Sequence, residues 1–182
     1  MQLTRRAALL AALLVPSAAP AMAQVLVGGM PMLPSRDIMQ NAANSTDHTT
    51  LVAALQEAGL ADALKARGPF TVFAPTNEAF AAMPASTLYA LLKPENKYQL
   101  ARVLSYHVVP GKFTVRELNR LITAGGGRAV LQTAEGENLT ITRQHKTILV
   151  TDGKGNTATV TIPNVIQSNG VMYIIDHVLL PG

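Results

Sequence analysis

Two pairs in this sequence set a possible nucleophile or carboxylate beside an imidazole: Ser105 with His107, and Asp176 with His177. Acyl transfer needs a hydroxyl activated by a base that a third group orients. Ser105 and His107, two positions apart, would share a face of an extended strand. Asp176 and His177 are neighbours and would point to opposite faces of one. The strained Gly-x-Ser-x-Gly turn that presents a catalytic serine above a sheet is missing from the sequence. The chain is therefore expected not to be an enzyme.

Metal chemistry fares no better. The four histidines, at 48, 107, 145 and 177, lack the close pairing of zinc ligands, and the sequence contains no Cys. Met30, Met32 and Met39 could offer thioethers to Cu(I), but methionines are commonly packing material. No metal and no cofactor is expected. The absence of Cys also removes disulfides, thiolate nucleophiles and a lipidated N-terminal Cys, so stability has to come from packing. Gly153-Lys-Gly155 lacks the strand and helix that frame a phosphate loop and reads as a turn.

The elements that must position these residues begin after an apparent address. Residues 1–23 place Arg5 and Arg6 before the apolar run Ala7 to Val15 and the small-residue stretch Ala21-Met22-Ala23, the layout of a secretory signal peptide. The run falls short of the roughly 20 residues needed to cross a hydrocarbon core of about 30 Å. The paired arginines leave a twin-arginine route open beside the general one. Residues 24–34, with Gly28-Gly29 and two prolines, read as a flexible leader, and a single domain is expected over residues 35–182. With 48% apolar residues, that length suffices to close a core without cross-links.

Arg5 and Arg6 would leave with the signal, halving the formal charge of +4. The basic pI is thus no argument for nucleic acid, which is not expected as a partner. The product should be soluble once the signal is cleaved, in the periplasm or outside the cell.

Ser35 or Asp37 can cap a helix through Asn44, and Asp47 the next, with Leu51, Val52, Leu55 and Ala58 at helical spacing. Phe70 to Ala74 reads as a buried strand, and Thr76 or Asn77 can cap the helix that follows. Helices are expected over Pro84–Leu92 and Pro94–Ser105, with Tyr106 to Val109 extended. Thr114 can cap one more helix. From Arg128 onward short β-branched runs alternate with turns such as Asp152-Gly153 and Asn169-Gly170. Helices first and strands after indicate an α+β fold.

Three segments together resemble the fasciclin family: Phe70-Thr-Val-Phe-Ala-Pro-Thr-Asn-Glu-Ala-Phe80, Tyr106-His-Val-Val-Pro-Gly111, and Gly170-Val-Met-Tyr-Ile-Ile-Asp-His-Val-Leu-Leu-Pro181. The similarity runs over about residues 37–181. The resemblance implies a wedge-shaped β-sandwich with several short helices packed on it, exported and serving cell adhesion or protein interaction. It implies that Thr76, Asn77 and Asp176 maintain the fold, Asp176 by bonding back to the first segment. It also implies that Tyr106, His107, Val108 and Val109 are a candidate adhesion contact. Beside that stands the reading of His107 as a buried, hydrogen-bonded residue. The expected partner is another protein or an extracellular matrix polymer, self-association is possible, and the alternative is a carrier for a small apolar ligand.

Overall fold

The computed structural model describes residues 24–182, so the expected signal peptide lies outside the described residues. The chain opens with a hairpin, β1 (Val25–Val27) and β2 (Met30–Met32), in place of the expected flexible leader. Gly28 and Gly29 both take positive φ, which only glycine adopts freely, and so turn the chain within two residues. Val27 and Met32 are buried against the helices.

Three helices follow: α1 (Ile38–Asn44), α2 (Thr49–Glu57) and α3 (Ala61–Lys65). Asp37 and Gln40 form a reciprocal capping box at the start of α1. Asp47 caps nothing; it sits inside a single 3-10 turn, Thr46–His48, capped by Ser45. Strand β3 (Phe70–Pro75) leads into α4 (Asn77–Ala81), whose N-cap is Thr76. Next come α5 (Ala85–Leu91) and α6 (Lys97–Tyr106), the two expected helices, except that the first residues of the second, Pro94–Asn96, form a 3-10 turn before α6. Tyr106 therefore ends a helix and does not open a strand. The apolar stripe Leu100, Val103, Leu104 is buried in the core on the helix side, and Tyr106 at the last turn is buried in the other core, inside the curl.

After the short β4 (Val108–Pro110) and α7 (Val115–Ala124), capped by Thr114, the chain runs through five strands: β5 (Arg128–Gln132), β6 (Asn138–Gln144), β7 (Thr147–Thr151), β8 (Thr157–Gln167) and β9 (Gly170–Ile175). Their alternating burial in β5, β6 and β7 is the period-two pattern of a sheet with one covered face. The final tight turn is Ser168-Asn169, one residue earlier than expected, because Gly170 already belongs to β9.

The seven strands β3–β9 form one sheet in the order β4-β3-β9-β8-β7-β6-β5. Every pair is antiparallel except β3 with β9, which run parallel from Phe70↔Gly170 to Pro75↔Ile175. Irregular pairing in β8 between Val160 and Val165, with Asn164 at φ 60, bends the sheet. It curls until its ends touch: the Ala134 N–H donates to the Val108 carbonyl at 2.7 Å. Two cores result. Val72, Ala74, Met172 and Ile174 pack on the helices, whereas Phe73, Val171, Tyr173 and Ile175 face the interior of the curl.

Candidate functional site

The segment Tyr106 to Val109 lies where α6 hands over to β4, and none of its four side chains is at the surface. Tyr106, His107, Val108 and Val109 are 0%, 2%, 7% and 1% exposed. The expected contact surface is thus corrected in its placement: β4 pairs with β3 through Val72↔Val108 and Thr71↔Val109, which turns Val109 and Tyr106 into the curl and Val108 toward the helices.

The two polar side chains are fully used. The Tyr106 hydroxyl donates to the Asn138 carbonyl at 2.9 Å and accepts the Gly153 N–H at 2.7 Å. Burial pushes its pKa up to about 12. His107 Nδ1 bonds the Val103 carbonyl at 2.8 Å, so Nδ1 carries the proton, and Nε2 accepts the Leu179 N–H at 3.0 Å. Burial pulls the pKa of this imidazole down to about 4, keeping it neutral. With both nitrogens committed, His107 has no lone pair for Ser105.

The other pair departs from expectation. His177 Nδ1 meets Asp176 Oδ1 at 2.8 Å, because β9 ends at Ile175 and the alternation of a strand no longer separates them. Asp176 Oδ1 also accepts the Thr159 N–H at 2.6 Å. Burial works against the charged carboxylate, but the bonds from His177 and Thr159 prevail and hold its pKa below the ordinary value. Asp176 thus ties to β8 and not to the first segment. That link is made by backbone, Thr76 N–H to the Ile175 carbonyl.

Thr76 accepts the Ala79 N–H, as a helix cap does. Asn77 reaches elsewhere. Its Oδ1 accepts the Thr50 N–H at 2.9 Å and its Nδ2 donates to the Thr46 carbonyl at 2.9 Å. Helix α2 has no cap from its own N-cap residue His48, so Asn77 supplies one from 27 residues away.

Sequence reasoning missed a buried Ser–His contact, Ser45 Oγ to His48 Nδ1 at 2.9 Å. Both residues are buried, the serine also accepts the Asp47 N–H, and burial lowers the His48 pKa. It also missed Asp152 and Glu137, whose carboxylates accept the Leu180 and Gly182 N–H groups. Together with His107 they hold the segment after β9 against the sheet. Neither pairing has a signal in local sequence.

What remains outside is different in kind. No residue of α5 is buried, and Tyr89 on it is 71% exposed, with Leu92 just beyond and Tyr98, 78% exposed, at the start of α6. Lys93 Nζ lies 5.5 Å from the centre of the Tyr89 ring. An apolar hollow of about 110 Å³ opens between Leu55, Leu60, Leu64, Phe70 and Val108. Sites for small ligands span about 300–1,000 Å³, so this hollow is too small for a carrier of drug-sized molecules. Among the described residues no group of three or more His, Cys, Asp or Glu is placed to hold a metal, and no helix is long and apolar enough to cross a membrane.

A curled seven-stranded sheet with helices packed on its outer face and α7 closing the interior of the curl, and a buried histidine holding the backbone together, defines an α+β domain of the fasciclin type. The Fasciclin domain model matches residues 46–181, and the chain belongs to this family. It is 47% identical over 146 residues to Protein sll1483 of Synechocystis sp., spanning 79% of this chain and 73% of that one. It is 38% identical over 145 residues to the immunogenic protein MPB70 of Mycobacterium bovis, spanning 77% and 66%. In structure it is similar to a FAS1 domain pair from the insect cell adhesion molecule Fasciclin I, with a TM-score of 0.73 at 18% identity, over 81% of this chain and 51% of that one. At that identity the likeness concerns the fold alone.

Proposed function

We propose that this chain is an exported, non-enzymatic adhesion module that holds another protein or a matrix polymer, in the periplasm or after release from the cell. The observation that carries the reading is the α5–α6 face. Two of the four tyrosines are buried in the fold, while Tyr89 on α5 and Tyr98 at the start of α6 stand at the surface near Leu92, and α5 itself reaches the core only through the part-buried Leu88 and Leu91. Aromatic side chains are enriched where proteins meet because they bring large apolar area and little entropy cost. Membership of the fasciclin family supports the same role. Arg5-Arg6 and the apolar run after them support export.

The test is surface attachment by the producing cells, compared among wild type, a deletion, and a strain carrying Tyr89→Ala with Tyr98→Ala. Attachment lost in both altered strains, with an unchanged melting temperature for the purified variant, supports the reading. Attachment that survives deletion removes it. One domain alone has low avidity, so self-association is part of the proposal; light scattering that shows a strict monomer at high concentration overturns that part.

A further inference from the structure

A second surface, remote in character from the aromatic one, gathers cations. Arg143 lies near the end of β6 and Lys146 in the β6–β7 turn. Arg128 at the start of β5 pairs with Thr142, next to that turn. Arg143 Nη1 donates to Asn119 Oδ1 on α7 at 2.7 Å, which brings the helix to the same end. Arg116 and Arg120 lie three positions before and one after Asn119, so Arg116 shares its face. These elements together carry one carboxylate, Glu117, and Arg120 already holds it. The carboxylates Glu135, Glu137 and Asp152 belong to the turns at the opposite end of the same strands.

The cationic end also has a shape. A hollow of about 210 Å³ lies between Arg143, Lys146, Thr147, Thr161, Pro163 and Val115. Arg143 is held in place there by Asn119 and by its bond from Nε to the His145 carbonyl at 2.9 Å. The two non-glycine residues with positive φ, His145 and Asn164, are the chain neighbours of Lys146 and Pro163 in its lining. Such backbone is costly for residues with a side chain and recurs at sites of recognition. The lining offers cations and hydroxyls beside the apolar Val115, Ile148, Val160 and Pro163, and α7 and the β6–β7 turn carry no Phe, Tyr or Trp for a base to stack on, the imidazole of His145 being the one ring there.

We infer that this end binds a carboxylated polysaccharide, a uronate seated between Arg143 and Lys146 with the flanking cations following the chain. The site is separate from the aromatic face and rests on the adhesion reading only in that export is what brings the domain to such a polymer. Charge complementarity of this kind acts mainly on encounter and is weakened by salt.

Purified residues 24–182, the whole described domain, are titrated with polygalacturonate, with dextran as the uncharged polymer and with oligothymidylate DNA. The expected result is binding to polygalacturonate that weakens steeply between about 50 and about 200 mM salt, and none to dextran. Arg116→Gln with Lys146→Gln removes two side chains that make no hydrogen bond or ion pair among the described residues, and should weaken binding on the order of tenfold at an unchanged melting temperature. Lys93→Gln with Lys97→Gln, on the aromatic face, should leave it unchanged. No binding at low salt, equal loss from both pairs, or tighter binding of oligothymidylate overturns the inference. The Tyr89 and Tyr98 variant separates the two proposals, since it should lose attachment and keep polygalacturonate.

Discussion

His107 Nε2 accepts the backbone N–H of Leu179 at 3.0 Å, across 72 positions of sequence, and so fastens the segment after β9 to the end of α6. The other ring nitrogen is spent on Val103.

Removing this imidazole should therefore cost more than its volume. His107→Ala leaves the Leu179 N–H and the Val103 carbonyl buried without partners, and each such group costs about 1–3 kcal/mol. A loss of about 3 kcal/mol is expected in urea unfolding. His107→Gln, with an acceptor and a donor of its own, should recover more than half of it. Equal losses for both variants would show that the ring's packing, and not its hydrogen bonds, sets the effect.

The same residue predicts the acid limb of stability. Its pKa is about 4 when folded against an ordinary 6.5, so the unfolded chain takes up the proton first. Stability is full above about pH 6.5, falls as the pH drops below it, and levels off near pH 4, a loss of about 3 kcal/mol from this group. His48, also lowered by burial, acts with the same sign. Asp176, with a depressed carboxylate pKa, contributes at lower pH than either histidine. Melting temperatures of His107→Gln should accordingly fall less than those of wild type between pH 6.5 and 4.5.

Asn77→Ala should uncap α2 without touching it. The Thr50 N–H and the Thr46 carbonyl both lose their partner, for an expected loss of about 1–2 kcal/mol. Faster hydrogen exchange at Thr50 with unchanged exchange in β9 is the signature. Uniform acceleration across the domain would mean that the link is global.

Gly170→Ala tests the closest approach in the sheet. A Cβ at this position would collide with the Phe70 carbonyl where β3 and β9 begin their parallel pairing. The obstacle is space, since Gly170 does not have positive φ. A destabilisation of about 3 kcal/mol is expected; a neutral result would mean that the strands can part locally.

Much of this architecture is legible in local chemistry. Asp37, Thr76 and Thr114 do cap helices, and β5 to β7 show their alternation in β-branched residues, because caps and strand periodicity depend on a few neighbouring positions. The hairpin at Val25 to Met32 is not legible, since two glycines and two prolines look like a linker until Val27 and Met32 find the core. Nor is the burial of Tyr106 and His107, which is decided by partners at positions 138, 153 and 179. The Asn77 bond to Thr50 and the cationic end share that character: each joins residues that only the folded sheet brings together.

The parallel pairing of β3 with β9 sets the order of events at the ribosome. Phe70 waits for Gly170, and β9 supplies buried residues to both cores at once, Met172 and Ile174 to one and Val171, Tyr173 and Ile175 to the other. Neither core can close on a nascent chain until position 175 has emerged, so every shorter intermediate carries unpaired strand edges and uncovered apolar surface. A polypeptide built this way stays threadable through a pore for nearly the whole of its synthesis and commits to its native shape only at the end.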